Sequence, residues 1–299
     1  MKTTSLKYAF LTAALVIATA GLCSAQVLLY DTFADGSRGQ TNLPNESAVW
    51  ASGASAVTMG TGSLAYTQST SSRRLWTYFA PNGSPVTLGV GEQLIAAIEF
   101  TPRGGLYDVN NKNFRFGLFN DPTSNQILAD GATDSGGSGN PWEDSTGYAV
   151  QFPLSSGQTA SANASIGKRI AGLNTSLLGS NSAYPGQTSG GAPVVAALDT
   201  QYTLTLVLDR IAIDQMQVTY AIANATGVIA THSILDDGTF GGNTVPIYTQ
   251  FDQLAFRFSS ASGTADILDF HSFKVEYIPE PATMTLLGLG GLLALKRRG

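Results

Sequence analysis

The chain is almost without cysteine: Cys23 is the only one in 299 residues, and it lies inside an apolar N-terminal stretch. A body without thiols forms no disulfides, binds no metal through thiolate and has no thiol nucleophile. Histidine is nearly as scarce, with only His232 and His271. Two histidines without cysteine give no zinc-site spacing, and no Gly-x-Ser-x-Gly elbow accompanies them. Both read as structural or surface residues, although a triad drawn from distant positions stays open. Glutamate is thin too. Glu46, Glu92, Glu99, Glu143 and Glu276 stand isolated in the body, whereas glycoside hydrolysis needs two carboxyls about 5–9 Å apart. The nearest acidic sets are Glu143-Asp144, Asp236-Asp237, and Asp266 with Asp269. Residues one or three apart on a strand point to opposite faces, so none of these is a ready dyad. No catalytic residue is assigned; tertiary pairing of distant acids stays open.

What the sequence does have is clearest at its two ends. Lys2 and Lys7 precede an uncharged run from Tyr8 to Leu22, and Cys23-Ser24-Ala25 offers small residues before Gln26. This predicts a secretory signal peptide over residues 1–25, cleaved between Ala25 and Gln26. Leu22 is too large for the small residue that usually precedes a lipidated cysteine, so Cys23 is not read as a lipoprotein site. At the other end stand Pro279-Glu280-Pro281, an apolar run from Met284 to Leu295, and then Lys296-Arg297-Arg298. As a helix, the uncharged stretch 282–295 would be roughly 20 Å long, short of the about 20 residues of a stable span. It suits a temporary anchor that thins the bilayer, and the basic cluster would stop it on the cytoplasmic side. Gly288, Gly290 and Gly291 give this helix small faces for packing on another membrane protein.

This tripartite tail resembles the PEP-CTERM sorting signal of exopolysaccharide-producing bacteria. The resemblance implies that Pro279, Glu280 and Pro281 form the sorting motif and Lys296, Arg297 and Arg298 the membrane stop. It also implies a partner, an exosortase-type membrane transpeptidase, and export to the cell surface, outer envelope or extracellular matrix after transient anchoring in the inner membrane.

Removing the ends changes the charge. Of 16 basic and 21 acidic residues the ends hold five and one, leaving 11 and 20 in residues 26–278, a net of −9. An acidic body with scattered arginines offers no phosphate-tracking stripe, which argues against nucleic acid as a partner. Apolar–polar alternation recurs in short blocks separated by turn residues, the signature of strands. The blocks are Val27–Phe33, Ser63–Thr67, Leu75–Phe79, Gln93–Thr101, Phe114–Phe119 and Tyr148–Phe152. Tyr202–Leu208, Met216–Ile222, Val228–Ser233, Gln253–Ser259 and Ala265–Ile278 follow. Leu94, Ala96, Ile98 and Phe100 share one face, as do Tyr202, Leu204, Leu206 and Leu208. The fold expected over residues 26–278 is all-β, a two-sheet antiparallel sandwich.

The order of blocks resembles the concanavalin A-like lectin/glucanase jelly roll. It opens with Leu29-Tyr30-Asp31-Thr32-Phe33 and has a central Phe114-Arg115-Phe116-Gly117-Leu118-Phe119-Asn120 before Gly147-Tyr148-Ala149-Val150. A late Phe251–Phe258 stretch leads into a closing Phe270–Tyr277 strand. The resemblance implies that the first and last strands lie side by side, with the tail beside the N-terminus. The Glu-x-Asp-x-Glu pattern of jelly-roll glucanases is absent.

Two stretches break the pattern. Asp130–Ser145 is rich in Gly, Asp and Ser around Pro141-Trp142, and Ser155–Pro193 is a low-complexity polar run. The second is abnormally long for a bare loop; it hides a weak hairpin around Ser165–Leu173 or is a surface loop. Sugar binding needs an aromatic platform, and Trp50, Trp76, Trp142, Tyr107 and Tyr184 are the rings on offer. Trp76, between Leu75 and Tyr78, reads as core. Trp142, beside Glu143 and Asp144 in a polar loop, is the candidate glycan-binding residue. Calcium is the one metal left open, as no metal ligand is assigned. Asp108-Val109-Asn110-Asn111-Lys112-Asn113 begins like a calcium loop, but Lys112 takes a ligand place and no bidentate acid follows. Asn120-Asp121-Pro122 and Asp236-Asp237-Gly238 are as readily turn chemistry.

The expectation is an exported, non-catalytic surface or exopolysaccharide-matrix protein that binds glycan. A glycan-active enzyme on the same scaffold and a purely structural envelope protein are the alternatives.

Overall fold

The computed structural model describes residues 24–39, 48–52, 56–67, 73–106, 114–122, 126–131, 142–154, 164–172, 177–178, 184–192, 194–258 and 265–280. Cys23 with most of the expected signal peptide, Tyr107, the Asp108–Asn113 stretch, and the tail from Pro281 with its expected helix lie outside the described residues. Among the described residues no helix is long and apolar enough to cross a membrane.

Among the described residues, seventeen strands run in chain order. The first six are β1 (Gln26–Asp31), β2 (Trp50–Ala51), β3 (Val57–Gly60), β4 (Ser63–Thr67), β5 (Arg73–Tyr78) and β6 (Val86–Thr87). Next come β7 (Gln93–Leu106), β8 (Phe114–Asn120), β9 (Thr146–Phe152), β10 (Ser165–Arg169) and β11 (Thr188–Ser189). The last six are β12 (Tyr202–Ala212), β13 (Gln215–Asn224), β14 (Gly227–Asp236), β15 (Gln250–Phe251), β16 (Gln253–Phe258) and β17 (Ala265–Ile278). All eleven expected strands are present; β2, β3, β6, β10, β11 and β15 are additional.

An eight-stranded sheet runs β14-β13-β12-β7-β17-β4-β3, with β1 also on β17. A seven-stranded sheet runs β11-β10-β9-β8-β16-β5-β2, and β15 pairs with β6 as a small ribbon. The pairings are antiparallel, so the architecture is the expected sandwich. Its core is the set of residues that alternation turns inward. Leu94, Ala96, Ile98 and Phe100 of β7 and Leu204, Leu206 and Leu208 of β12 are fully buried. They meet Phe114, Phe116 and Leu118 of β8, Val150 of β9 and Leu254 and Phe256 of β16 from the other sheet. Phe100 stacks on Phe114 across the gap at 5.1 Å between ring centroids, and Phe256 meets Phe273 at 4.8 Å. Ring pairs in this range add about 0.5–1.5 kcal/mol beyond the area they bury.

Strand β17 organises the first sheet. One edge pairs with β7 along nearly its full length. The other edge is shared, β4 taking Ile267–Phe270 and β1 taking Phe273–Tyr277. Gln26 pairs with Tyr277, so the first and last strands lie side by side as expected.

The low-complexity run contributes a strand rather than the local hairpin considered for Ser165–Leu173. Its β10 pairs with β9 on one side and with the short β11 on the other. Only Ile166 is strongly apolar in Ser165–Arg169, yet every residue there is buried. Such a strand lacks the half-wet alternation that makes strands visible in sequence.

Candidate functional site

Period-2 alternation means that the seven-stranded sheet has a second face, opposite the core. Since Leu75, Phe116, Val150, Ile166 and Phe256 point inward, Arg74, Trp76, Tyr78, Arg115, Phe119, Ala149, Arg169, Ala255 and Arg257 point outward. In an ordinary sandwich this face is wet. Here Trp76, Phe119, Ala149 and Ala255 are fully buried, and they form a second apolar cluster with Trp142, Leu177, Leu178 and Tyr184. The covering residues come from the two polar stretches that broke the strand pattern.

Trp142 therefore corrects the expectation made for it. Its exposure is 0%, and its ring meets that of Trp76 edge-on at 5.2 Å. The local sequence is polar, but the indole is a large apolar surface with an aromatic wall to close on, and burial wins. It is not available as a sugar platform. Tyr184 is likewise sealed, with its hydroxyl donating to the Leu177 carbonyl. Glycine makes the close approach feasible: a Cβ at Gly167 would sit 3.0 Å from the Tyr184 ring. Trp76 is core as expected, its indole N–H donating to the Ile127 carbonyl at 2.9 Å. Trp50 is half-buried and leans on Tyr78.

The outward arginines are held by backbone carbonyls of the covering segments. Arg169, fully buried, donates from Nη1 to the Ser145 carbonyl and from Nη2 to that of Trp142 at 2.5 Å. Arg115 and Arg257 both donate to the Leu178 carbonyl, at 2.9 and 2.6 Å.

Two buried acid arrangements were invisible in the sequence because their members lie far apart in the chain. The first joins Asp121 and Asp252, 5% and 2% exposed. The Asp121 amide donates to Asp252 Oδ1 at 3.0 Å, and the Tyr78 hydroxyl donates to Asp121 Oδ2 at 3.4 Å. Burial first, then the neighbouring Asp121 charge, pushes the Asp252 carboxyl up to about 7. The second is an ion pair: Lys168 Nζ lies 2.7 Å from Asp236 Oδ2, both essentially unexposed. Lys168 also donates to the Val245 carbonyl at 2.6 Å, and the Tyr148 hydroxyl donates to Asp236 Oδ2 at 2.6 Å. The pair ties the 237–249 segment to the end of the sheet.

These contacts decide how the remaining candidates stand. Asp236 Oδ1 accepts from the Gly238 amide and Asp237 Oδ1 from the Thr239 amide, each at 3.0 Å. That is the turn chemistry, and with Lys168 on its other oxygen Asp236 does not fit a calcium ion. Among the described residues no three His, Cys, Asp or Glu side chains converge as a metal site. His271 Nε2 pairs with Thr101 Oγ1 at 2.8 Å, and His232 lies against Tyr220 at 6.4 Å between ring centroids. A shallow depression of about 490 Å³ beside the 237–249 segment is lined by Arg210, Ile213, Asp214, Asp237 and Thr239 among others.

The C-terminal exit follows the last strand. Strand β17 stops at Ile278, and Pro279 and Glu280 continue from it. Glu280 rests on Gly91, where a Cβ would lie 3.0 Å from Glu280 Cγ; Gly91 has φ +84°, a conformation that favours glycine.

Comparison with solved structures finds likenesses at low identity. Peanut lectin bound to a nine-residue peptide is 14% identical, covering 81% of this chain and 95% of that one, with a TM-score of 0.46. The exoplasmic/lumenal domain of VIP36 in its Ca2+- and mannose-bound form is 12% identical over 84% and 91%, with a TM-score of 0.49. Lectin I-B4 from Griffonia simplicifolia, in a metal-free form, is 12% identical over 83% and 99%, with a TM-score of 0.46. No curated protein matches the chain. Residues 278–298 match the family described as the PEP-CTERM protein-sorting motif. The chain thus ends in a PEP-CTERM protein-sorting motif whose match begins at the last residue of its last strand.

Proposed function

We propose that this chain is an exported, non-catalytic protein of the cell surface or exopolysaccharide matrix, delivered by an exosortase-type transpeptidase acting on its C-terminal motif. The observation that carries the reading is the coincidence of the motif's start with the end of β17. A signal attached there can be removed without unpairing a strand. The segment 1–25 acts with it as a signal peptide, cut between Ala25 and Gln26. Before processing, the apolar run ahead of Lys296, Arg297 and Arg298 anchors the chain in the inner membrane. Pro279, Glu280 and Pro281 are then a substrate for another enzyme.

The body holds glycan rather than cutting it. Two observations count against hydrolysis by the buried acids. Asp121 and Asp252 are sealed from solvent, and Asp236 is committed to Lys168. A glycosidase needs its acid and base open to the sugar.

Deletion of Pro279–Gly299 in an exosortase-bearing host tests the reading. The truncated protein keeps its near-UV circular dichroism and is lost from the cell surface. Unfolding of the truncated body, or undiminished surface retention, contradicts it.

A further inference from the structure

Strand register brings three segments together at one end of the eight-stranded sheet. Ile278, the last residue of β17, pairs with Gln93 at the start of β7, and Gln93 pairs with Asp209 on β12. Residues 89–92, which lead into β7, and residues 210–214, around the β12–β13 turn, therefore flank the point where the chain leaves the fold. Backbone hydrogen bonds lock these two segments together. The Gly91 amide donates to the Arg210 carbonyl at 2.7 Å, and the Arg210 amide donates to the Glu92 carbonyl at 3.1 Å. The Arg210 guanidinium adds two bonds, from Nη1 to the Leu88 carbonyl at 2.6 Å and from Nη2 to the Ile213 carbonyl at 2.9 Å. Since Glu280 rests on Gly91, the glutamate of the sorting motif sits directly on this paired structure.

Three large apolar side chains stand exposed here. Val90, next to Gly91, is 43% exposed; Ile211, next to Arg210, is 45% exposed. Ile213, at 77%, is the most exposed large apolar side chain among the described residues. Exposed apolar residues scattered singly need no explanation. These three are neighbours through the hydrogen bonds just given, and they surround the segment on which a processing enzyme acts. Beside them lies the depression of about 490 Å³, between Ile213 and Asp214 of the turn and Thr239 and Pro246 of the 237–249 segment. It gives the face a recess for a partner's side chain. The occupant follows from reach and charge. A residue spans at most about 3.5 Å, so an enzyme that closes on Pro279-Glu280-Pro281 also covers Val90 and Ile211. A lipid surface fits less well. Glu92, Asp209, Asp214 and Glu280 lie in these segments with Arg210 as the single base, and anionic headgroups repel such a rim.

We propose that this end of the sandwich, centred on Val90, Ile211 and Ile213, is the surface on which the processing transpeptidase docks, so that the enzyme grips the folded body as well as the motif. The partner face that fits it has an apolar centre and a basic rim. Because Arg210 already fixes both segments, docking orders little of this chain. The inference rests on the exosortase processing proposed above.

The test is the rate at which exosortase removes the tail from the full chain, followed by intact mass, with the enzyme in its membrane and again solubilised in detergent. Ile211→Thr/Ile213→Asn slows removal at least fivefold in both settings, whereas Ile211→Val/Ile213→Val keeps the wild-type rate. Val195→Thr/Leu198→Asn also keeps it; these exposed residues lie at the far end of β7, where the Asp199 amide bonds the Pro102 carbonyl. All three variants melt within about 3 °C of wild type, because only exposed side chains change. An unchanged rate in Ile211→Thr/Ile213→Asn, or equal slowing by the far-end variant, overturns the proposal. So does slowing that vanishes in detergent, which would assign the patch to lipid. Unfolding of Ile211→Thr/Ile213→Asn overturns it too, since the patch would then be packing. A wild-type chain left unprocessed in both settings removes the sorting reading and this proposal with it. A processed wild type with an unaffected variant removes this proposal alone.

Discussion

The two sheets of this sandwich solve the same problem differently. In the eight-stranded sheet, β12 over Tyr202–Asp209 and β13 over Gln215–Ala223 alternate between buried and half-exposed residues, with Thr203, Thr205 and Thr219 on the wetter face. In the seven-stranded sheet, β8, β9 and β10 are buried on almost every residue. One sheet has a core face and a wet face; the other carries apolar clusters on both. The second cover comes from segments whose composition is that of a loop. The difference separates a supporting sheet from one whose outer face has been built up, and arginines are concentrated on the built-up side.

Paired substitutions on the two outer faces test this contrast. Trp142→Ala removes a fully buried ring from the outer cluster and costs about 3–5 kcal/mol in chemical denaturation. Thr205→Ala, on the wet face of the other sheet, stays within about 1 kcal/mol. Equal small effects would mean that the outer cluster is loose cover rather than core.

The next effect is one of pH. Asp252 in the fold holds its proton up to about 7, whereas in the unfolded chain it ionises near 4. Between those values the folded state carries the extra proton, so stability falls as pH rises from about 4 to about 7 and then levels. Asp252→Asn removes that slope and is the more stable form at pH 8. A pH slope unchanged in the variant would assign it to other groups.

The smallest effect belongs to the wet side. Asp199→Asn removes the charge of the exposed Arg103–Asp199 pair while keeping a residue that tolerates the φ of +57° there, and it changes stability by about 0–1 kcal/mol, less at high salt. A larger loss would show that the wet edge is more tightly organised than its exposure indicates.

The same contrast explains what the sequence revealed. Strands β7, β12 and β13 were legible because one face is wet, and Tyr202-Thr203-Leu204-Thr205-Leu206 displays that directly. Strand β10 was hidden, since Ser165-Ile166-Gly167-Lys168-Arg169 is buried on both sides and looks like its low-complexity surroundings. Trp142 was misread for the complementary reason: polar neighbours signalled exposure, but the indole's partner, Trp76, is distant in the chain. The cross-strand placement of Arg74, Arg257 and Arg115 and the Asp121–Asp252 contact are products of sheet register, which no local pattern displays. The C-terminal motif was fully legible because its chemistry is contiguous. Its relation to the fold was legible too: the last apolar block, Ala265–Ile278, stops just before Pro279, and β17 ends at Ile278.

The most direct test is the intact mass of the protein recovered from the surface of an exosortase-bearing host. The account predicts a species that begins at Gln26 and lacks Lys296, Arg297 and Arg298. Recovery of the complete 299-residue chain at the surface would contradict it.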